Sequence, residues 1–275
     1  MPLPLEDFCE DIIAKAQRGL GIGHKGLIEK TGITPNILKD LQAGLFKPEY
    51  TEDLRKIALA LELNPDCLLA AAKKAWHPSI KAPLELMTFT SPFGGGMTVN
   101  AYVVCHLQTK DAVLFDTGTR PTPIIEAIRH RSLNLKAIFL THAHPDHVES
   151  LRHLRRQLED VPVFIHANEA IRGAEVFAEG FRFSAGSFGV RGLETPGHSP
   201  GGTTYAIRGL KVPMAIVGDA LFAGSMGGTN TENFEPAKEA IRTQILTLEP
   251  HTLLCPGHGP LSTVALEQMH NPFFG

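Results

Sequence analysis

One run of seven residues, Thr141-His-Ala-His-Pro-Asp-His147, constrains this chain more than any other feature. It crowds three imidazoles and a carboxylate into six residues, which is costly unless something positive lies between them. The preceding segment 136–141 is typical of a short buried strand. The following segment Val148–Leu158 has the apolar spacing of an amphipathic helix. The run therefore joins a predicted strand to a predicted helix.

The spacing inside the run predicts how its side chains point. Alternation along a strand directs His142 and His144 to the same side, while Asp146 and His147 fall in the turn that opens the helix. Imidazole nitrogen and carboxylate oxygen are the ligands that Zn²⁺ and related metals prefer. We therefore predict a metal site here rather than a His-rich surface loop.

Three further polar residues follow, each in a turn after an apolar segment. His198 lies in Thr195-Pro-Gly-His-Ser-Pro-Gly-Gly202, Asp219 ends the run 212–219, and His258 lies in Leu253-Leu-Cys-Pro-Gly-His-Gly-Pro260. Each of these residues, taken alone, could have a structural role as a turn residue or a helix cap. Together with the first run they offer seven candidate ligands, more than one tetrahedral ion uses. The natural count is two metals that share a bridging carboxylate.

The order H-x-H-x-D-H, His, Asp, His resembles the metallo-β-lactamase-fold hydrolases, and the flanking segments resemble their glyoxalase II-like branch. Three segments carry the second likeness: Gly218-Asp-Ala-Leu-Phe-Ala-Gly-Ser225, Pro256-Gly-His-Gly-Pro260 and Met269-His-Asn-Pro-Phe-Phe274. The resemblance covers residues 84–275. It implies an α/β fold, an αββα four-layer metallo-β-lactamase sandwich, with the site at one edge of two sheets.

The resemblance also implies a division of the seven ligands between two metals. The first metal would be held by His142, His144 and His198, the second by Asp146, His147 and His258, and Asp219 would bridge them. Two divalent metal ions are expected, with Zn as the first choice and Fe or Mn as alternatives.

The chemistry expected of such a site is hydrolysis, in which a metal-bound hydroxide attacks a thioester or ester carbonyl. The expected partner is a small-molecule thioester or ester substrate, for example a hydroxyacyl thioester such as an S-acylglutathione. Asp146 is expected to act catalytically as well, by orienting the attacking water or accepting its proton. Alternatives on the same fold are a lactonase, a phosphodiesterase or a persulfide dioxygenase. A third possibility is a DNA-binding regulator whose metal-containing domain acts as a sensor.

One departure leaves the glutathione substrate open. Glyoxalase II-like proteins usually place a basic residue shortly after the bridging aspartate, where this chain reads Ser225-Met-Gly-Gly-Thr-Asn230. Gly228 cannot supply a cation. The reaction class is thus expected more firmly than the substrate.

Several other residues near the motifs have weaker claims. Ser199, in Gly197-His-Ser-Pro-Gly201, and Ser225 neighbour the site, but neither is expected to be the nucleophile, because a metal-bound hydroxide makes a serine nucleophile unnecessary. Cys255 is expected to be a small buried hydrophobe, and His166, at a strand end, is expected to be structural rather than a ligand. The loop Phe93-Gly-Gly-Gly-Met97 matches no phosphate-binding fingerprint and is expected to form a hairpin.

The composition narrows the class of protein. Of 275 residues, 43% are hydrophobic and 20% charged, with a net charge of −3 that gives no pull toward nucleic acid or anionic membranes. The four cysteines show no disulfide framework. The first residues lack the pattern of a signal peptide, and no apolar stretch approaches a membrane span. These features predict a cytoplasmic protein.

The chain divides at Trp76-His-Pro-Ser-Ile-Lys-Ala-Pro83, where two prolines interrupt helical patterning. We predict a helical domain over residues 1–76, a linker over 77–83 and the α/β catalytic domain over 84–275. Leu54, Ile57 and Leu61 illustrate the helical spacing in the first part.

The segment Gly26–Gly44 resembles the helix-turn-helix of Cro/C1-type repressors. Gly32 would form the turn, Thr34 would cap the second helix and Pro35 would start it. That helix would offer three residues to DNA bases, namely Asn36, Lys39 and Gln42.

The charge of this region argues against DNA as the favoured partner. Residues 1–76 contain 10 Lys and Arg against 11 Asp and Glu, whereas a DNA-binding domain usually has a basic surface. DNA binding, homodimer formation and service as a lid over the active site remain open for these helices.

Overall fold

The computed structural model describes residues 3–158 and 161–275. The first two residues of the expected helical domain therefore lie outside it. No helix in the described ranges is long and apolar enough to cross a membrane.

The first part of the chain folds into five α-helices, as the sequence predicts. They are α1 (Cys9–Gly19), α2 (His24–Thr31), α3 (Pro35–Gln42), α4 (Thr51–Ala60) and α5 (Pro65–Ala72), with a 3₁₀ turn at Pro48–Tyr50.

The turn between α2 and α3 has the expected local chemistry. Gly32 ends α2 with a left-handed φ of 69°, and the Thr34 hydroxyl accepts a hydrogen bond from the Ile37 amide at the start of α3. Asn36 and Lys39 are exposed. Gln42 is instead hydrogen-bonded to neighbouring helices, at 2.8 Å to Gln17 and 2.9 Å to His24. Gly32, Thr34 and Gln42 thus stabilise the pair of helices, and DNA binding stays a possibility that the charge does not favour.

The rest of the chain forms two six-stranded sheets. The first follows chain order, antiparallel from β1 to β3 and parallel from β3 to β6. Its strands are β1 (Leu86–Phe93), β2 (Met97–Cys105), β3 (Asp111–Phe115), β4 (Asn134–Phe139), β5 (Val163–His166) and β6 (Glu175–Phe177). The glycine-rich loop after Phe93 is the β1–β2 hairpin, as expected.

The second sheet has the order β14-β13-β10-β9-β8-β7, and a two-stranded ribbon, β11–β12, follows β10. The strands are β7 (Arg182–Ser184), β8 (Gly189–Glu194), β9 (Thr203–Arg208), β10 (Met214–Gly218), β11 (Leu221–Phe222), β12 (Ser225–Met226), β13 (Leu253–Pro256) and β14 (Ser262–Thr263).

Helices cover the outer faces of both sheets. They are α6 (Pro121–His130), α7 (Pro145–Val148), α8 (Leu151–Gln157), α9 (Thr231–Ala240), which continues into a π-helical turn to Ile245, and α10 (Val264–His270). One apolar cluster, including Phe115, Phe139 and Tyr205, fills the space between the sheets, and α6 and α8 pack on the first sheet. The four-layer αββα sandwich is thereby confirmed.

The N-terminal helices pack directly onto the second sheet and its helices. Ile13 and Ala16 of α1 belong to the same buried apolar cluster as Val217 of β10 and Phe234 of α9. Gly19 lies so close to α9 that an added Cβ would come within 2.3 Å of the Phe234 ring. The helical part is thus bound to the sandwich by a shared core.

The segment between the two parts is also held in place. Residues 77–83 contain no helix or strand, but His77 bonds to the Leu3 carbonyl at 2.8 Å, and Trp76, just before the segment, stacks on His270 of α10 with ring centroids 5.0 Å apart.

Candidate metal centre

All seven candidate ligands lie at one edge of the sandwich, in loops that follow strands. The loop after β4 and the short helix α7 contribute four of them. The loop between β8 and β9 contributes His198, the end of β10 leads to Asp219, and the end of β13 leads to His258.

The local structure of the first run differs from the prediction in two respects. Strand β4 ends at Phe139, so His142 and His144 lie in a loop rather than on a strand. The predicted helix over 148–158 begins earlier, at Pro145, and is interrupted before α8. The interruption arises because the Ser150 amide bonds to the Gly118 carbonyl, at 3.2 Å, instead of continuing the helical pattern. The two histidines still meet, with ring centroids 4.5 Å apart.

The first group of ligand atoms lies nearest the surface. Nε2 of His142 is 3.0 Å from Nδ1 of His144, and Nε2 of His198 is 3.1 Å from the same atom. His142 is buried, whereas His144 is exposed and His198 half-buried. Three imidazole nitrogens that face one another in this way form a set that one metal ion can bind.

The second group lies deeper and consists of buried residues. Nε2 of His258 is 3.3 Å from Oδ2 of Asp146, and Nε2 of His147 is 3.7 Å from the same oxygen. Both groups are compact, with all ligand atoms of each within 4.8 Å of one another.

Asp219 lies between the two groups. Its Oδ2 is 3.5 Å from Nε2 of His198 and 3.2 Å from Nε2 of His258, while its Oδ1 is 3.3 Å from Nε2 of His147. One carboxylate thus reaches ligands of both groups, which is the position expected of a bridge.

Two of these buried atoms lack a hydrogen-bond partner in the described part of the chain, namely Nε2 of His147 and Oδ1 of Asp219. Leaving polar atoms buried and unpaired costs free energy, so such atoms call for an external partner. A metal ion is a partner that suits both an imidazole nitrogen and a carboxylate oxygen. The donor set therefore fits metal binding.

The electrostatics of the protein groups favour a cation at the same place. Burial alone would lower the pKa of His147, but Asp116 and Asp219 raise it to about 10. For His258, burial is likewise outweighed by Asp146 and Asp219, which raise its pKa to about 11. Burial lowers the pKa of His142 well below its usual value, as suits a neutral ligand. The carboxylates thus draw positive charge into the centre, as protons or as metal ions.

The ring nitrogens that face away from the centre are anchored. Nδ1 of His198 bonds to the Gly228 carbonyl at 3.0 Å, and Nδ1 of His258 bonds to the Thr98 carbonyl at 2.6 Å. A carbonyl partner fixes the tautomer, which leaves Nε2 free to bind a metal.

Asp116, after β3, was not singled out in the sequence because a lone aspartate at a strand end usually caps a turn. It is buried, and its Oδ2 accepts a hydrogen bond from Nδ1 of His147 at 2.8 Å. It also holds the start of the histidine run, since it accepts from the amide and hydroxyl of Thr141, both at 2.8 Å.

Glu169 joins the two loops that carry the first group. Its buried carboxylate accepts a hydrogen bond from the Ala143 amide at 3.0 Å and another from the Gly201 amide at 2.9 Å. No sequence motif points to this residue, because its partners lie in distant segments.

The weaker candidates occupy the places expected of them. Cys255 is fully buried in the core between the sheets, and His166, which bonds to Glu194 at 3.2 Å, belongs to none of the ligand groups found among the described residues. Ser199 and Ser225 are both buried.

The N-terminal helices reach the centre, which their sequence did not establish. The Lys15 ammonium donates to the Met226 carbonyl at 2.9 Å, and the Arg18 side chain lines a cleft together with His198. These contacts place α1 beside the candidate centre, and DNA binding, homodimer formation and service as a lid all stay predictions.

The sequence of residues 94–258 matches the model of the metallo-beta-lactamase superfamily. The chain belongs to this superfamily. Among curated proteins, it is 36% identical over 202 residues to YqgX, a probable metallo-hydrolase of Bacillus subtilis, a match that covers 65% of this chain and 93% of YqgX. These findings make it a superfamily member related to metallo-hydrolases.

Two more distant relatives have names that bear on chemistry. GloC of Haemophilus influenzae, a hydroxyacylglutathione hydrolase, is 29% identical over 187 residues, which cover 60% of this chain and 87% of GloC. BaeB of Bacillus velezensis, a probable polyketide biosynthesis zinc-dependent hydrolase, is 27% identical over 165 residues, which cover 57% of this chain and 71% of BaeB.

Solved structures of superfamily members agree with the fold. BLEG-1, a B3 metallo-beta-lactamase, aligns with a TM-score of 0.58 and 29% identity over 68% of this chain and 99% of its own. TTHA1623, solved in a di-iron-bound form, aligns with a TM-score of 0.53 and 30% identity over 67% of this chain and 99% of its own.

Proposed function

We propose that this superfamily member is a binuclear metal-dependent hydrolase that cleaves a hydroxyacyl thioester or ester. The observation that carries the proposal is the position of Asp219, whose two oxygens reach histidines of both ligand groups. In this assignment His142, His144 and His198 hold one ion, and Asp146, His147 and His258 hold the other. Zn is the proposed metal, in keeping with BaeB, a probable zinc-dependent hydrolase, and Fe, present in the di-iron-bound form of TTHA1623, is the alternative.

When bound, a pair of divalent ions lowers the pKa of a water and polarises a carbonyl, and thereby supplies the nucleophile and activates the substrate. The protein's part is to position and to move protons. Asp146 lies beside His258, with Oδ2 3.3 Å from Nε2, at the deeper group. We assign to this carboxylate the orientation of the attacking water and the acceptance of its proton.

The side chains near the centre favour water as the nucleophile. Nucleophilic serine requires a base within hydrogen-bond reach of its hydroxyl. In the described part of the chain the hydroxyls of Ser199 and Ser225 have no hydrogen-bond partner at all. The Cys255 thiol is buried in the core, and burial raises its pKa, so it stays protonated.

The substrate class rests on relatives rather than on the centre itself. GloC is a hydroxyacylglutathione hydrolase, and its likeness to this chain supports a hydroxyacyl thioester.

The direct test is hydrolysis of S-D-lactoylglutathione by the full-length protein loaded with Zn, with Fe and Mn loading in parallel. The matched control is the double variant His142→Ala, His144→Ala, which removes two nitrogens of the first group. We expect turnover that this variant loses, together with a lower bound-metal content.

A protein that binds two metals per chain but hydrolyses neither this thioester nor simple esters would refute the proposed reaction. Lactones and phosphodiesters, assayed with the same samples, would then identify a different hydrolase.

A further inference from the structure

We propose that Arg18 of the N-terminal helix α1 forms a subsite for a carboxylate on the thiol half of the substrate. The inference rests on the proposed thioester function and adds to it the chemical class of the thiol. It also gives the helical domain a part in substrate selection.

The subsite is an open cleft of about 430 Å³ beside the metal centre. Its walls come from α1 and from the loops that follow β8 and β12, and its lining residues include Arg18, His198, Ser199, Gly228 and Thr229. A volume of this order suits a small-molecule ligand. It far exceeds the room that a lactoyl group needs, so the larger thiol half is the part that this cleft can hold.

The Arg18 guanidinium supplies the positive charge of this cleft and has no partner among the described residues. The side chain is exposed, and within residues 3–158 and 161–275 it makes no ion pair and donates no hydrogen bond. Its backbone is fixed, because its carbonyl accepts a hydrogen bond from the Thr231 hydroxyl at 2.9 Å. The cation is therefore held at the cleft by its helix and remains available to a ligand.

The neighbouring cation on α1, Lys15, already has partners within the protein. The Lys15 ammonium forms an ion pair with Asp7 and donates to the Met226 carbonyl. Lys15 thus fastens α1 to the ribbon that follows Asp219 and leaves the recognition of an anion to Arg18.

Gly228 lies between the Arg18 guanidinium and His198 of the candidate metal centre. Its carbonyl accepts the hydrogen bond from Nδ1 of His198, at 3.0 Å. A Cβ at Gly228 would lie 3.7 Å from Nη1 of Arg18 and 4.0 Å from Cε of Lys15, so the side chains of α1 occupy the space beside this glycine. Gly228 therefore separates the Arg18 guanidinium from His198, which is a proposed metal ligand.

The Arg18 guanidinium matches a carboxylate better than a phosphate dianion. A guanidinium can bind a carboxylate through two parallel N–H bonds. A phosphate dianion requires more positive charge. Among the described lining residues, Arg18 is the one Lys or Arg.

The test compares two lactoyl thioesters with the same acyl group. One is S-D-lactoylglutathione, whose thiol half carries carboxylates, and the other is the neutral lactoyl thioester of N-acetylcysteamine. The variant is Arg18→Gln. Arg191→Gln, an exposed arginine on β8, is the matched control. We expect Arg18→Gln to lower the anionic-to-neutral ratio of kcat/KM by about tenfold or more, through KM, and Arg191→Gln to leave that ratio unchanged.

Binding of S-methylglutathione, measured by calorimetry, separates this proposal from the proposed reaction. Absence of thioester turnover with Arg18-dependent binding would refute the reaction and support the subsite. An unchanged kcat/KM ratio, or binding that is the same in Arg18→Gln, would overturn the subsite. Preference for a phosphate-bearing thioester such as a lactoyl-phosphopantetheine would overturn the choice of carboxylate.

Discussion

The imidazole of His147 and the carboxylate of Asp116 are joined by a hydrogen bond of 2.8 Å, and both side chains are buried. The bond directs Nε2 of His147 toward Asp219 and Asp146. A carboxylate that accepts from the outer nitrogen of a histidine fixes its orientation and raises its basicity as a ligand.

We predict that Asp116→Asn lowers metal affinity or kcat/KM by roughly 10- to 100-fold. The amide nitrogen of Asn would face a donor, either the Thr141 amide or the His147 ring, because Asp116 accepts from both. Asn tolerates the positive φ of 53° at this position, so the backbone is not the cause. Bound metal after dialysis, together with steady-state kinetics, measures the effect. Asp111→Asn, at the other end of β3, should keep its metal, and equal losses in both variants would contradict the assignment.

We predict that two substitutions of Glu169 weaken metal binding at the first ligand group to different degrees. Glu169→Ala leaves the amides of Ala143 and Gly201 without their acceptor, so the two loops lose their link. Glu169→Gln keeps one acceptor oxygen. We expect Zn affinity, measured by chelator competition, to fall about tenfold or more in the alanine variant and less in the glutamine variant. Glu175→Ala, an exposed residue on β6, serves as the control. The reverse order of the two Glu169 variants would argue against a positioning role.

Gly257 leaves no room for a side chain beside the bridging carboxylate. An added Cβ would lie 2.1 Å from Oδ1 of Asp219 and 2.7 Å from Cε1 of His147. Gly257→Ala should therefore displace Asp219, lower the bound-metal content and abolish turnover while circular dichroism still shows a folded protein. At Gly189 an added Cβ meets no heavy atom within 4 Å, so Gly189→Ala should retain metal. Full metal occupancy in Gly257→Ala would show that Asp219 is not confined as described.

Glu267 predicts a pH dependence of folding that is separate from the metal centre. Burial raises the pKa of this carboxyl from 4.5 to about 7, and the donors Ser262, Asn271 and Gly224 only partly offset it. The folded state therefore holds a proton that the unfolded state releases, and stability falls as the pH rises from 4.5 through 7.

The Glu267→Gln variant, which cannot ionise, should lack this loss. Relative to it, the free energy of unfolding of the natural protein should fall by about 3 kcal/mol across that window, at about 1.4 kcal/mol per pKa unit. Urea unfolding at several values from about pH 5 to about pH 8 measures the difference. A constant difference between the two proteins would contradict the raised pKa.

The fold class and the candidate ligands could be predicted from the sequence, because the candidate ligands lie in compact motifs at strand ends. His142, His144, Asp146 and His147 are neighbours in the chain, so their proximity needs only a local turn. The Gly-Pro-rich segments around His198 and His258 mark the loops that bring the others in. The prediction placed the first two histidines on a strand, which was wrong, because the amides of Thr141 and Ala143 bond to the side chains of Asp116 and Glu169 rather than to a neighbouring strand.

The residues that support the ligands could not be found in this way. Glu169 acts on amides 26 and 32 residues away, and Asp116 acts 31 residues away on His147. Arg18 faces Gly228 across more than two hundred residues, and only the packing of α1 on α9 brings them together. A lone charged residue in a helix has no sequence context that distinguishes such a role from a solvated surface.

The apolar cluster shared by α1, β10 and α9 makes the two halves of the chain dependent on each other for folding. If the N-terminal helices were removed, the buried side chains of Val217, Phe234 and Ala237 would face water. We therefore expect a single cooperative unfolding transition, with no temperature at which the sandwich survives while the helices have melted. What the sequence divides into two domains would then behave thermodynamically as one.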